Sequence, residues 1–433
     1  MKAVILAAGK GERLRPLTET TPKPMLKLLG KTIIERQFLA LTKAGVKEFI
    51  IVTNYMEEKI QEHIVSIAPQ HTSIIFVHQE NVRGTADAFL SVKNYLDDDF
   101  FIGLNGDCVY SPQIIEKAID VLKEKKIGLG GKLVKDTHNY GIIQLDDEYP
   151  TAIIEKPPKG EVEEGYANIG IYVLPTEIIN ILEEMIKQKE ISPRGEYEFP
   201  TAINKLISHG DYKTALIKVE EKDYWFDIGL PWTLLEANQK LLSLCNEEKE
   251  GKIENNVHIE GKVIIKKGAI IRSGVYLQGP VFIDEGADIG PNCYIRKYTY
   301  LGKNTRIGNA CEVKNSIIYD GTHAGHLSYI GDSIIGENSN FGAGTITANL
   351  RLDDRTVKMI IKNERIDSQR RKLGAIIGDN VKTGIGALFM PGVKIGHDTW
   401  IGAGTIVNED VESKMIYYSK PKNIQKGKET NVG

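Results

Sequence analysis

IENNVHIEGKVIIKKGAIIRSGVYLQGPVFIDEGADIGPNCYIRKYTYLGKNTRIGNACEV, residues 253–313, sets a large aliphatic side chain at every sixth position. The series runs Ile253, Ile259, Ile265, Ile271, Leu277, Ile283, Ile289, Ile295, Leu301, Ile307 and Val313, with Tyr319 as its last member. A small or β-branched residue follows each by four positions, from Val257 and Val263 to Cys311 and Ile317. A hexapeptide period of this kind marks a parallel β-helix. Three hexads close one triangular coil, so residues about 18 apart stack, and Cys293 and Cys311 are expected on neighbouring coils. The register breaks near His326 and resumes at Ile335 and Phe341. After an interruption over 347–372 it returns at Ile377, Thr383, Phe389, Ile395, Ile401 and Val407.

The glycines mark the same division. Residues 1–250 hold 17 of the 42, and residues 251–433 hold 25, consistent with corners at which glycine relieves the backbone. The 433-residue chain has length for two or three domains. With 55 Lys+Arg against 58 Asp+Glu its net charge is −3, which argues against nucleic acid or a membrane surface as partner. The four cysteines form no CxxC pair, so a zinc site is not expected. The start MKAVILAAGKGER has too short an apolar run for a signal peptide, and no stretch is long and apolar enough to span a bilayer. A cytoplasmic enzyme is the expectation.

Upstream of the repeat the pattern changes. AVILAA, EFIIVTN, SIIFVH and FFIGLN read as short apolar strands. Helical stretches are expected at 33–44, 56–67, 85–95 and 112–125. Strands alternating with helices imply βαβ units, a mostly parallel Rossmann-like sheet, and ligand sites beyond the carboxyl ends of the strands. Residues 1–228 are thus expected as an α/β domain, 229–252 as a helical linker, 253–411 as the β-helix and 412–433 as a tail.

The chemistry-bearing segments sit at those strand ends. In GKGERLRPLTETTPKPM (9–25), Gly9 and Gly11 let backbone N–H groups approach phosphate oxygens, and Arg13 and Lys23 supply positive charge for a leaving pyrophosphate. The segment lacks the third glycine of a dinucleotide fingerprint and fits no Walker pattern. The whole run resembles the signature of sugar-1-phosphate nucleotidylyltransferases, a likeness extending over about 230 residues. The resemblance implies nucleotide contacts from Leu6, Ala7, Ala8, Gly9 and Gly11, and base contacts from Gln79, Gly84 and Thr85 in HQENVRGTADAF. It implies sugar-phosphate contacts from Gly141, Glu155, Lys156 and Asn168. It makes Arg13 and Lys23 catalytic, and Asp107 in LNGDCVY and Asp227 in DYWFDIGLPW the ligands of Mg²⁺. Two carboxylates suit that hard cation. The nucleotide is UTP or dTTP, and the sugar is glucose or an N-acetylhexosamine.

In the second half, HLSYIGD (326–332) and NFGAGTITAN (340–349) resemble the acetyltransferase half of the bifunctional enzymes that make UDP-N-acetylglucosamine, in their archaeal form. These are left-handed hexapeptide-repeat acyltransferases, typically homotrimers. The resemblance makes His326 a general base, able to take a proton from an attacking amine. Arg296, Lys314, Tyr329, Asn340 and Lys358 would bind the amino-sugar phosphate, with Arg355 and Lys362 as rivals to Lys358. Ala343, Asn349, Ile385 and Ala403 would line an acetyl-CoA groove. ITANLRLDDRTVKMIIKNERIDSQRRKLG (346–374) departs from the bacterial pattern, being longer and lacking its YDG. The implied activity is twofold: nucleotidylyl transfer to a sugar 1-phosphate and acetylation of glucosamine or galactosamine 1-phosphate. The alternatives are a thymidylyl- or uridylyltransferase whose β-helix only oligomerises or regulates, and a catalytically dead regulatory subunit.

Overall fold

A computed structural model describes residues 1–420 except 193, 194 and 196. It comprises two compact units: Met1–Leu14 with Thr18–Ala237, and Arg15–Leu17 with Asn238–Gly433.

The first unit is built on a nine-stranded sheet. Strand Lys2–Leu6 lies between Glu48–Thr53 and Phe100–Asn105, parallel to both, and Ser73–His78 adds in parallel to Glu48–Thr53. Helices between these strands cover them with apolar stripes. In Pro112–Lys123 the buried residues are Ile114, Ile115, Ala118, Ile119 and Leu122, spaced to share one face. Helix Ile33–Lys43 begins at a capping box, with Thr32 Oγ1 accepting from Glu35 N–H at 3.1 Å and Glu35 accepting from Thr32 N–H at 3.4 Å. The helix expected over 85–95 is Thr85–Leu90 followed by a single tight turn, Lys93–Tyr95. Ser91 Oγ donates back to Ala88 O at 2.7 Å, a local bond that competes with continuing the helix. Beyond Phe100–Asn105 the sheet turns antiparallel through Gly165–Pro175, which also pairs with Ile127–Val134 and Gly141–Asp146.

The second unit holds three stacked sheets of eight, nine and eight strands. The first runs from Glu248–Lys249 to Lys394–Ile395, the second from Lys252–Ile253 to Ile416–Tyr417, and the third from His258–Glu260 to Ile406–Val407. Successive strands visit the three sheets in turn, and neighbours within each are parallel, as in Val263–Ile265 on Val281–Ile283. This is a parallel β-helix. Its core is the column of aliphatics the period predicts, fully buried from Ile265 to Val407. Cys293 and Cys311 stack on adjacent coils, where Tyr294 faces Glu312, and both are free thiols. The stack begins at Glu248–Lys249, inside the segment expected as linker, and ends at Ile416–Tyr417, inside the expected tail. Residues 421–433 of that tail lie outside the described residues.

The register differs from expectation at one point. Corner residues with left-handed φ fall at Gly286, Asn292, Tyr298, Asn304 and Ala310, then at Asn315, Gly321 and Leu327, then at Asp332, Asn338 and Gly344. Two corners are therefore one residue short, and His326 lies between them. Ile318 rather than Tyr319 takes the inward position, stacking on Leu301. Both short corners lead into the first sheet. That sheet is buried on its outer side too, at Ile264, Tyr300, Ile317, Ile334 and Ile376. The interruption contains a β-hairpin, Lys358–Ile361 with Glu364–Asp367, whose Val357, Met359 and Ile361 are buried.

Candidate functional sites

In the first unit, segments following three parallel strands, Lys2–Leu6, Ser73–His78 and Phe100–Asn105, converge. A cleft of about 240 Å³ is lined by Leu6, Ala7, Ala8, Gly9, Gln79, Gly84 and Thr85, together with Lys23 and Asp107. Seven of the eight residues expected at the nucleotide thus line one cleft. The eighth, Gly11, packs against Lys23, which lines it. It has φ +65°, and a Cβ there would stand 2.9 Å from Lys23 Cβ and 3.0 Å from Thr18 Cγ2. Gly9 has nothing within 4 Å of where its Cβ would be, leaving its backbone open to the cleft.

Lys23 Nζ lies 2.5 Å from Asp107 Oδ2 and 3.7 Å from Asp227 Oδ1. Asp227 sits opposite Cys108 in the short antiparallel pair Trp225–Asp227 with Cys108–Tyr110, so residues 119 positions apart meet. Burial pushes both carboxyls up. For Asp107 the adjoining Lys23 ammonium more than reverses this, whereas Asp227 stays above the usual carboxylate range. Ligand atoms of Asp107, Cys108 and Asp227 lie within 4.8 Å of one another. Burial raises the Cys108 thiol well above its ordinary value, keeping it protonated. The donors left are two hard oxygens, which fit Mg²⁺ rather than a thiophilic metal. Arg13 stands beside Asp227 across Gly229, where a Cβ would meet its guanidinium at 2.8 Å.

The side-chain amide of Gln79 is oriented by its surroundings. Nε2 donates to Asp87 Oδ2 at 3.0 Å and to Asn81 O at 3.1 Å, so Oε1 is the acceptor. Arg83 holds the other Asp87 oxygen at 2.8 Å. Gly141, Glu155 and Asn168 also converge: a Cβ on Gly141 would lie 2.8 Å from Glu155 Oε2 and 3.7 Å from Asn168 Cβ. Lys156 Nζ is 3.8 Å from Glu155, and Asn168 donates to Tyr172 OH at 2.9 Å. Sequence reasoning missed Asp87, Asn105, which lines the cleft, and Tyr172. For Asp87 the signal was present, since Arg83 and Asp87 are four apart at the head of a helix.

In the β-helix, the expected groove residues form a column along the corner between the second and third sheets. Gly344 N–H donates to His326 O at 3.3 Å, Gly386 N–H to Ala343 O at 2.8 Å, and Gly404 N–H to Ile385 O at 2.8 Å. His326, Ala343, Ile385 and Ala403 therefore share one edge. His326 is exposed, and its imidazole has no hydrogen-bond partner among the described residues.

Beside that edge, on the third sheet, lies a polar cluster. Arg296 donates to Glu312 at 2.8 Å, and Glu312 is the strand neighbour of Tyr329. Asn349 Nδ2 donates to Tyr329 OH at 3.1 Å and to Asp332 Oδ2 at 2.6 Å, and Lys314 Nζ is 3.3 Å from the same oxygen. Arg296 Nε is buried with no acceptor among the described residues. An orphaned guanidinium donor beside a lysine suits a phosphate. Two expected members stand elsewhere. Asn340 is on the second sheet, between His323 and Lys382. Lys358 is on the hairpin, exposed, facing Asp367; its rivals Arg355, before the hairpin, and Lys362, in its turn, are exposed too. Asn349, expected at the groove, is a member of the polar cluster instead, because its carboxamide is drawn to Tyr329 and Asp332. Asp332 itself went unnoticed in the sequence.

A nucleotidyl transferase family model matches residues 2–243, and a GMPPB C-terminal domain model matches residues 277–388. The chain is 43% identical over 424 residues to the "Bifunctional protein GlmU" of Methanocaldococcus jannaschii, covering 98% of this chain and 99% of that one. It is 48% identical over 421 residues to the protein of that name from Methanococcus maripaludis, covering 97% and 98%. It is 41% identical over 420 residues to the "Bifunctional sugar-1-phosphate nucleotidylyltransferase/acetyltransferase" of Sulfurisphaera tokodaii, covering 95% and 98%. With the cleft in the first unit and the histidine-bearing edge in the second, the chain belongs to the nucleotidyl transferase family and, along nearly its whole length, to its bifunctional nucleotidylyltransferase/acetyltransferase members.

Proposed function

We propose that residues 1–228 transfer a nucleotidyl group from UTP or dTTP to a sugar 1-phosphate, releasing pyrophosphate, and that residues 253–411 acetylate glucosamine or galactosamine 1-phosphate from acetyl-CoA, with 229–252 as the linker. In the first reaction a sugar-phosphate oxygen attacks the α-phosphorus of the triphosphate. That oxygen is already ionised, so no general base is needed, and catalysis is positioning and charge neutralisation. The Ala7–Gly11 turn offers backbone N–H groups to the phosphates, and Arg13 and Lys23 neutralise the leaving pyrophosphate. Asp107 and Asp227 would hold Mg²⁺, which when bound offsets phosphate charge. Gln79 Oε1 suits the N3–H that uracil and thymine share and cytosine lacks. Gly141, Glu155, Lys156 and Asn168 hold the sugar phosphate.

In the second reaction His326 takes the proton of the amine as it attacks the thioester, and coenzyme A leaves as the thiol. Arg296, Lys314 and Tyr329 hold the amino-sugar phosphate, and Ala343, Ile385 and Ala403 border the acetyl-CoA. A homotrimer working in the cytoplasm completes this reading: in it, Asn340 on the second sheet and Lys358 on the hairpin reach the site of a neighbouring copy. The observation that carries the assignment is the placing of His326 on the same edge as Ala343, Ile385 and Ala403, beside the Arg296–Lys314–Tyr329 cluster.

The test incubates purified protein with acetyl-CoA, glucosamine 1-phosphate or galactosamine 1-phosphate, UTP or dTTP, and Mg²⁺, and identifies products by mass spectrometry. An N-acetylhexosamine nucleotide is expected. Nucleotide sugar without acetyl transfer to any hexosamine phosphate would leave the β-helix as a purely oligomerising element.

A further inference from the structure

Asp332 is buried, and both of its oxygens are engaged. Oδ1 accepts from Asn315 Nδ2 at 2.6 Å; Oδ2 accepts from Asn349 Nδ2 at 2.6 Å and faces Lys314 Nζ at 3.3 Å. Lys314 and Asn315 belong to one short corner of the β-helix, and Asp332 is the left-handed residue of the next. The two missing residues stack these corners so that residues 17 apart meet, Asn315 under Asp332 and Asp332 under Asn349. Asp332 N–H also donates to Lys314 O at 2.9 Å, and Asp332 O accepts from Gly374 at 2.8 Å, which fixes its backbone from both sides. A buried carboxylate with such complete satisfaction is rigid. The carboxamide it holds is also the one that bonds Tyr329 OH, at 3.1 Å.

We infer that Asp332 is a positioning residue for acetyl transfer, acting through Lys314 and Asn349 to preset the pocket for the amino-sugar phosphate; this rests on the two-site reading above. The carboxylate draws the Lys314 ammonium and Asn349 Nδ2 to one oxygen, and Asn349 in turn points its second hydrogen at Tyr329 OH. Without it, a long lysine side chain samples many rotamers, and ordering it falls to the substrate. The two shortened hexads are then the device by which a uniform coil makes one non-uniform site.

The experiment compares wild type with Asp332→Asn, Lys314→Ala, the double variant and Asn315→Ala. It measures acetyl transfer by release of the coenzyme A thiol, and melting and oligomeric state report folding. Asp332→Asn is expected to raise KM for glucosamine 1-phosphate about tenfold while KM for acetyl-CoA moves less than about twofold. Asn315→Ala, which loosens Asp332 from its far oxygen without touching Lys314, is expected to shift the same KM about threefold. The double variant should match Lys314→Ala within about twofold, because both changes remove one interaction. Equal effects on the two substrates, or multiplicative effects in the double variant, would overturn the inference. A crystal structure of Asp332→Asn is a readout that needs no turnover: Lys314 Nζ is expected to lose its fixed position, and an unshifted, ordered ammonium refutes the positioning role. A wild type that transfers no acetyl group to any hexosamine phosphate refutes the two-site reading instead.

Discussion

The two sites are assembled in opposite ways. In the α/β unit the groups that meet are far apart in the chain: Lys23 touches Asp107, and Asp227 joins them from a strand beyond. In the β-helix nearly every contact at the site spans one coil, as between Asn315 and Asp332 or Asp332 and Asn349. The first site therefore depends on the whole sheet being in register. The second depends on a local rhythm and on where it is broken. The difference teaches that a repeat fold makes a site by irregularity, whereas a wound sheet makes one by convergence at its strand ends.

Separate construction implies separable function, and the largest expected effects test it. Asp107→Ala removes an oxygen from the only acidic cluster of metal-binding geometry among the described residues. Pyrophosphate release is expected to fall about a thousandfold or more, with acetyl transfer unchanged; near-normal turnover by a well-folded variant would sink the assignment. His326→Ala should invert the pattern, lowering acetyl transfer by about 10²–10³-fold while pyrophosphate release stays at the wild-type rate. Loss of both activities in either variant would mean that the two regions do not work independently.

A smaller effect separates two glycines of one loop. At Gly11 the backbone is left-handed and a Cβ would crowd Lys23 and Thr18, whereas at Gly9 there is open space. Gly11→Ala is expected to destabilise the α/β unit by about 1–2 kcal/mol or more, visible as a lower melting temperature. Gly9→Ala should leave melting in place and raise KM for the nucleotide, since it adds a methyl to a residue that lines the cleft. If the two variants melt alike, the close approach at Gly11 is not what demands glycine there.

How far the sequence could be read follows from the same contrast. The cleft residues were legible because each stands in a segment at a strand end, and seven of the eight nucleotide contacts named from sequence line one cleft. The β-helix was legible by counting, yet the count placed one break where there are two. Ile317, Ile318 and Tyr319 are consecutive and all buried, as are Ile334 and Ile335, because the first sheet is covered on both sides. Apolar runs on a doubly buried strand erase the period by which one would phase it. Asn340 shows the reverse case. It lies 11 positions from Tyr329, which is no multiple of a coil, so arithmetic alone separates their sheets. Asp332 escaped because its partners are one coil away in each direction, visible only when the short corners are known.

The smallest expected effect sharpens the contrast through acid. In the α/β unit Asp223 is buried and would by that alone be raised, but Lys117 at 2.8 Å and the Glu220 N–H hold it below the usual carboxylate range. Its contribution to stability is present above the unfolded-state value and is lost as pH falls through its folded one. In the β-helix Asp284 is buried too; it accepts from Glu285 N–H at 2.8 Å and from Tyr300 OH at 3.1 Å, yet burial wins and its carboxyl is raised. Here the sign is opposite: the folded state favours the neutral acid, so its contribution is present at low pH and lost as pH rises through the raised value. Asp284→Asn keeps the bond from Glu285 N–H to Oδ1 and reverses the other, the amide donating to the Tyr300 hydroxyl oxygen in place of accepting from it. It is expected to stabilise the β-helix near pH 7 by roughly 0.5–1 kcal/mol, about 2 °C in a unit of this size. Below about pH 3, well under the ordinary Asp value of about 3.9, the wild-type group is protonated in both states, so the gain should vanish there. Calorimetric melting of the two proteins across that range reads it directly. A gain that persists at low pH would trace the stabilisation to packing rather than to the buried charge.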